Sequence, residues 1–193
     1  MARRKQISDE AVLETAMKVM TAKGPGDFTL ADVGRATGLA PATLVQRFGD
    51  KHGLVVAAIA HDNRSFARLL EGLPPTTGAA AVIAVFRLLT PQTSDLDSFA
   101  DQLLWLRQDM KDPALNRLAR ERFALLRRAV AERMPPLPMP AEDAARLVEA
   151  QWQGALNQWG LEREGDLATF VTRSLAAGFA LVAGAGSRER ERP

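Results

Sequence analysis

Cysteine and tyrosine are absent from this sequence of 193 residues, and only two histidines occur in it. Without cysteine the chain can form neither a disulfide framework nor a thiolate metal site, which fits a reducing compartment. Apolar runs such as residues 54–60 are too short to span a membrane, and the charged N-terminus lacks the apolar core of a signal peptide. We therefore expect a cytoplasmic protein with no membrane partner.

Motifs of common catalytic and metal sites are missing as well. His52 and His61 lie nine residues apart on one predicted helix, which is not the i, i+4 spacing of a helical metal site. No glycine-rich phosphate loop follows a strand, and no nucleophile elbow is present. We therefore expect no enzyme activity, no catalytic residue, no metal and no cofactor.

No segment has the alternating β-branched pattern of a strand, whereas apolar residues recur at helical spacing along nearly the whole chain. The pattern predicts an all-α protein of about nine helices, separated by glycine and proline clusters such as residues 24–26. The last helix is expected to end near Ala183, because a tail rich in glycine and charge follows it.

Residues 38–48, GLAPATLVQRF, predict a glycine turn followed by one short helix from about Pro41 to Phe48. Two helices joined by such a turn form the helix-turn-helix unit, whose second helix enters the DNA major groove. A short helix between turns is also a common connector in helical bundles. The pattern alone leaves both interpretations open; in the DNA-binding one, Leu44 and Phe48 face inward, because they are four residues apart.

The other side chains of this helix suit contacts with bases. Pro41 fixes the first turn and Ala42 is small, so bases can approach closely. The Thr43 methyl group can touch a thymine methyl group, and Gln46 can pair with adenine. Arg47 can pair with guanine or with a phosphate. We expect these five residues to contact DNA.

Further DNA contacts are predicted outside this helix. Thr29 begins the second helix, where free N–H groups bind phosphate, and Lys51 begins the fourth. Arg3 and Arg4 belong to a basic N-terminal arm that can reach a minor groove. Together these residues predict double-stranded DNA as the partner.

Residues 12–54 resemble the DNA-binding domain of the TetR family of transcriptional repressors. The positions that match the family pattern in order and spacing are Gly24, Phe28, Thr29, Gly38, Thr43, Leu44, Phe48, Lys51 and Leu54, and Val33 and Gly34 stand where the family has an Ile-Ala pair. Val45 departs from the pattern, because the family usually has there a tyrosine that often contacts phosphate. Arg47 stands where a histidine is usual, and its long charged side chain can take over the lost contact.

The resemblance implies a homodimeric repressor that binds a near-palindromic operator and is released by a small-molecule effector. It also implies a helix-turn-helix DNA-binding domain at residues 1–52, a helical effector-binding and dimerisation domain at residues 53–184, and a disordered tail at residues 185–193. The alternative is an all-α ligand-binding or scaffolding protein with a vestigial helix-turn-helix. Val45 and Gly34, which replaces the alanine of the family, favour that alternative.

In the family the last two helices pair with their copies, which implies a dimer interface on the apolar stripes of these helices. The residues expected there are Trp152, Ala155, Leu156, Trp159, Phe170, Ser174, Leu175, Gly178, Phe179 and Val182. The same stripes can instead pack into the core of the chain itself.

Residues of the middle helices are candidates for the effector pocket. They are Phe66, Phe86, Gln102, Leu103, Trp105, Leu106, Met110, Phe123, Leu126 and Trp152. Each apolar member is equally a candidate for the ordinary core. The arginines between Pro113 and Arg133 predict a solvated helix surface or, alternatively, contacts with an anionic effector.

Overall fold

The structure is a computed structural model, which describes residues 7–90 and 96–190 and the side chains of residues 7–90, 100 and 103–182. Across these residues the chain forms nine α-helices and no strand, which confirms the all-α prediction. The helices are α1 (Asp9–Asp27), α2 (Leu30–Thr37), α3 (Pro41–Phe48), α4 (Lys51–Glu71), α5 (Ala79–Leu89), α6 (Leu96–Lys111), α7 (Pro113–Ala131), α8 (Ala141–Glu162) and α9 (Leu167–Arg190).

Helix α9 continues past Ala183, where the sequence pattern predicted its end, and reaches Arg190. Gly184 and Gly186 cost a helix about 1 kcal/mol each, and arginine and glutamate, which are good helix formers, follow them. Residues 185–190 are therefore helical, whereas the sequence pattern predicted a disordered tail there. Residues 191–193 of that tail lie outside the described residues.

Contacts divide the chain into two units. The first comprises residues 1–69 and 97–122, and the second comprises residues 70–96 and 123–193. Helices α1 to α3 therefore belong to the first unit, together with nearly all of α4 and the first half of α7. A functional boundary at residue 52 stays a prediction.

Apolar side chains of α1 to α4 form the core of the first unit, and Leu115 of α7 belongs to it. Helix α1 begins at the Ser8 cap, whose hydroxyl oxygen accepts a hydrogen bond from Ala11 N. The break predicted at residues 24–26 is present, because Gly24 has the non-helical angles φ 75° and ψ 166°. The core residues that have no exposed surface are Val12, Ala16, Val33, Leu44, Leu54 and Ala58.

Two glycines allow the backbone to turn tightly before and after α3. A Cβ atom on Gly34 would lie 2.6 Å from the carbonyl oxygen of Leu39, and one on Gly53 would overlap the carbonyl oxygen of Phe48. Both obstacles are backbone atoms, which cannot rotate away as a side chain can. The alanine usual in the family at position 34 would therefore require a shifted turn here.

In the second unit, α8 and α9 pack against each other through a glycine. The Gln151 amide donates to the carbonyl oxygen of Ser174 (2.7 Å) and lies directly over Gly178. At the far end of the pair, Trp159 Nε1 donates to the carbonyl oxygen of Gly165 (3.1 Å). Gly178 is thus a contact between α8 and α9 of one chain.

Gly53→Ala should lower the free energy of unfolding by about 1–3 kcal/mol, because the new methyl group overlaps a backbone oxygen. Gly26→Ala is the matched control: a Cβ atom there meets nothing within 4 Å, and its backbone does not require glycine. That variant should be neutral or should gain up to about 1 kcal/mol. Urea denaturation of both variants measures the difference, and equal stabilities would contradict the close approach.

Candidate nucleic-acid interface

Helix α2 begins with a capping box formed by Thr29 and Asp32. Asp32 N donates to Thr29 Oγ1 (3.2 Å), and Thr29 N donates in return to Asp32 Oδ2 (2.9 Å). The Thr29 hydroxyl also donates to Asp32 Oδ2 (2.8 Å), so its proton is already used within the protein. Thr29 is exposed, and its role as a phosphate contact stays a prediction.

The Asp32 carboxylate holds this corner together. Lys23 Nζ donates to Asp32 Oδ1 (2.7 Å), and Arg35 Nη1 donates to the same oxygen (3.1 Å). The hydrogen bond from Lys23, followed by those from Thr29, lowers the pKa of Asp32 far below its ordinary value. The end of α1 and the start of α2 are therefore joined by an ionised carboxylate.

Helix α3 presents one side to the core and the other to solvent. Leu44 is fully buried, whereas Pro41, Ala42, Val45 and Gln46 are exposed. The exposed set recurs at spacings of one, three and four residues, so it forms one continuous surface of the helix. We call it the outer surface of α3; it carries no carboxylate that would repel DNA.

Thr43 and Val45 lie differently from what the sequence pattern led us to expect. Thr43 is half-buried, while Val45, which was treated only as a lost contact, is 43% exposed in the middle of the outer surface. Helical spacing alone contained this signal, because position 45 is three residues from Ala42 and four from Pro41.

Arg47 points toward the start of α1. Its Nη1 atom donates to the carbonyl oxygen of Ile7 (3.0 Å) and to Asp9 Oδ1 (3.2 Å). Only 16% of the Arg47 side chain is exposed. This differs from the expectation that Arg47 is free to reach the groove, and no sequence signal marks a backbone carbonyl as its partner.

Lys51 lies beside the turn between α1 and α2. Its ammonium group sits 4.1 Å from the centre of the Phe28 ring and donates to the carbonyl oxygen of Gly26 (3.4 Å). An ammonium group has three N–H donors, so this geometry leaves donors for a phosphate. Arg3 and Arg4, the other predicted cations, lie outside the described residues.

The predicted pocket residues belong to both units of the chain. In the first unit the Phe66 ring lies 4.0 Å from the Arg122 guanidinium carbon. In the second, the rings of Phe86 and Trp152 are 5.3 Å apart, and Trp152 Nε1 donates to Thr90 Oγ1 (3.1 Å). The first unit also contains half-buried Trp105 and exposed Leu103, Leu106 and Met110, and the second contains half-buried Phe123 and buried Leu126. The Gln102 side chain lies outside the described residues.

Several residues expected at a dimer interface pack within the chain itself. Ala155, Trp159, Phe170 and Leu175 are each less than 9% exposed, although no partner chain covers them. Trp152, Leu156, Ser174, Gly178, Phe179 and Val182 are half-buried. Sequence periodicity could not separate the inner and outer flanks of α8 and α9, because both flanks are apolar.

The part of the chain that the structure describes contains neither a metal site nor a membrane-spanning helix. Within it, no group of histidine, aspartate and glutamate side chains could hold a metal ion. Within the same residues, no helix combines the length and apolar character needed to cross a membrane.

Comparison with known proteins identifies the N-terminal segment. Residues 12–58 match the family model of bacterial regulatory proteins, tetR family, which confirms the resemblance. No curated protein matches the chain in sequence.

Solved structures share the fold of nearly the whole chain. A transcriptional regulator from Rhodococcus sp. Rha1 superposes with a TM-score of 0.75 at 14% identity, covering 92% of this chain and 97% of the regulator. A TetR family member from Streptomyces coelicolor A3 gives 0.64 at 18% identity, covering 88% and 98%. The multidrug binding protein EbrR, complexed with malachite green, gives 0.63 at 19% identity, covering 89% and 98%.

Asp32→Asn should destabilise the protein at neutral pH, because the ionised carboxylate accepts hydrogen bonds from Lys23 and Thr29. Since folding lowers the pKa of Asp32, this stabilisation is complete above the unfolded value of about 3.9 and decreases progressively as the pH falls from there through the lower folded pKa. The gap between variant and wild type should therefore shrink in acid.

Urea denaturation at pH 7 and pH 3 measures this gap. Asp27→Asn is the control. It removes the same charge from the same turn, but the Asp27 side chain makes no hydrogen bond among the described residues. A gap of equal size at both pH values would contradict the role given to ionised Asp32.

Proposed function

We propose that this chain, whose residues 12–58 belong to the tetR family of bacterial regulatory proteins, is a cytoplasmic transcriptional repressor and not an enzyme. The observation that carries the proposal is the outer surface of α3. Its exposed side chains are small, apolar or neutral and polar, while Leu44 anchors the opposite side in the core. A helix of this kind can enter a major groove without charge repulsion.

In the proposed complex, α3 lies in the major groove. Gln46 pairs with a base there, and Thr43, Pro41 and Ala42 make close contacts at the start of the helix. Phosphates are bound by Lys51 and by backbone N–H groups at the start of α2, which Thr29 caps, while Arg3 and Arg4 of the N-terminal arm reach a minor groove. Arg47 acts inside the protein, holding α3 to the start of α1.

We further propose a homodimer that binds the two half-sites of a near-palindromic operator. Large apolar side chains on α8 and α9 support it: Leu147 is 59% exposed, Leu161 88% and Leu181 76%. Leu147 also lines an apolar groove, together with Met139, Val148, Phe179 and Val182 among others. Exposed apolar side chains next to an apolar groove are typical of surfaces that bind another protein.

A small-molecule effector is proposed to release the repressor from DNA. The complex of EbrR with malachite green supports the capacity of this fold to hold a small ligand. Release requires that the ligand bind more tightly to the conformation that does not fit the operator, because only differential affinity shifts a conformational equilibrium.

Selection from randomised duplex DNA by the full-length protein tests the proposal and supplies an operator for the variants below. Enrichment of a near-palindromic sequence is the expected result. Failure to enrich any duplex would favour the alternative of a ligand-binding or scaffolding protein with a vestigial helix-turn-helix.

Lys51→Ala should weaken binding to all duplexes about equally and reduce the slope of log affinity against log salt by about 1, because one phosphate contact is lost. Arg47→Ala is the matched control, since it removes a cation of the same region that is tied to Ile7 and Asp9. Its salt slope should equal that of the wild type. A lowered slope for Arg47→Ala would show that Arg47 contacts phosphate after all.

Leu181→Glu should convert the protein from dimer to monomer without unfolding it, because Leu181 is exposed in the single chain. A buried unpaired charge at an interface is costly. Leu88→Glu places the same charge at another exposed leucine, on α5, and should leave the dimer intact. Sedimentation at micromolar concentration distinguishes the two, and a monomeric wild type would overturn the homodimer.

A further inference from the structure

We infer that Val45 reads a thymine methyl group in the operator, an inference that rests on the proposed DNA-binding function. Val45 lies on the outer surface of α3 between Ala42 and Gln46, with 43% of its surface exposed. Helical spacing makes Ala42 a neighbour both of Val45, three residues on, and of Gln46, four residues on, the residue proposed to pair with a base.

A single exposed valine needs no functional explanation on most protein surfaces. Here, however, the exposed apolar side chains are grouped: Pro41, Ala42 and Val45 share the outer surface of α3 with one polar residue, Gln46. Leu44 is buried on the opposite side of the helix, so the outer surface of α3 faces away from the core. Apolar area is thus concentrated where the helix would meet the groove.

The remaining polar side chains of α3 are poorly placed to read bases. Arg47 is held by the carbonyl oxygen of Ile7 and by Asp9, and Thr43 is half-buried. Recognition through α3 therefore depends on Gln46 together with the apolar side chains beside it. Among these, Val45 is the largest side chain that can reach outward from the middle of the helix.

The chemistry of valine selects its partner. A valine side chain has two methyl groups and no hydrogen-bonding atom, so it can neither bind phosphate through a hydrogen bond nor pair with a base edge. Along the major groove only thymine presents a methyl group, at C5. Val45 can therefore distinguish thymine from cytosine, whose C5 carries hydrogen.

The test uses the operator selected from randomised duplexes and replaces each thymine in turn by uracil, which lacks only the C5 methyl group. One position in each half-site should lower wild-type affinity about fourfold, the effect of withdrawing one methyl group from an apolar contact. For Val45→Ala the same replacement should have no further effect, because its contact is already absent.

Two variants serve as controls. Gln46→Ala changes the neighbouring polar side chain and should keep the fourfold effect of uracil. Leu69→Ala removes an apolar side chain of similar exposure from α4 and should bind every duplex as the wild type does. Thermal denaturation confirms that Val45→Ala is folded, which is expected for an exposed position.

The outcomes separate this inference from the function on which it rests. If an operator is selected but uracil affects wild type and Val45→Ala equally at every thymine, the thymine contact is wrong and DNA binding stands. If no thymine in the half-site is sensitive to uracil, the inference is likewise overturned. If no duplex is enriched at all, the proposed function and this inference are both overturned.

Discussion

The burial of Leu44 determines which side of α3 faces the core and which side faces solvent. A helix of eight residues has almost no stability of its own in water, so its position depends on tertiary contacts. Leu44 supplies the central contact, joining the core formed by Val12, Val33 and Leu54 with no exposed surface left. The tight turns at Gly34 and Gly53 follow from this, because α3 must enter and leave the core within a few residues.

Several positively charged side chains among the described residues have partners within the chain. Three arginines of α7 have partners within the chain: Arg117 pairs with Glu121, Arg122 with Asp62, and Arg127 with Glu149. Arg133, which follows α7, donates to the carbonyl oxygens of Leu73, Pro74 and Ala129. The solvated surface predicted for α7 is thus present in part, because Arg117, Arg120 and Arg128 are exposed, whereas Arg122 and Arg127 are half-buried.

Burial raises the pKa of Asp109 to about 6, so this carboxyl group of α6 is partly protonated near neutral pH.

The sequence was sufficient for the helices and for the helix-turn-helix, because capping residues and glycines act locally. Ser8, Thr29 and Gly38 mark helix ends through contacts within four residues of the chain. The partner of Arg47 could not be found this way, since Ile7 contributes a backbone carbonyl forty residues away. The sequence also could not predict which flank of α8 is buried, because apolar residues occur on both flanks and only tertiary packing distinguishes them.

The outer surface of α3 has a consequence for how such proteins diverge. Substitutions at exposed positions usually change stability by less than about 0.5 kcal/mol, and Ala42, Val45 and Gln46 are exposed. Leu44, which carries the packing of this helix, contributes nothing to that surface. Under the proposed function, a duplicated copy of the gene can therefore acquire specificity for a new operator by changing a few neighbouring codons without losing a folded protein.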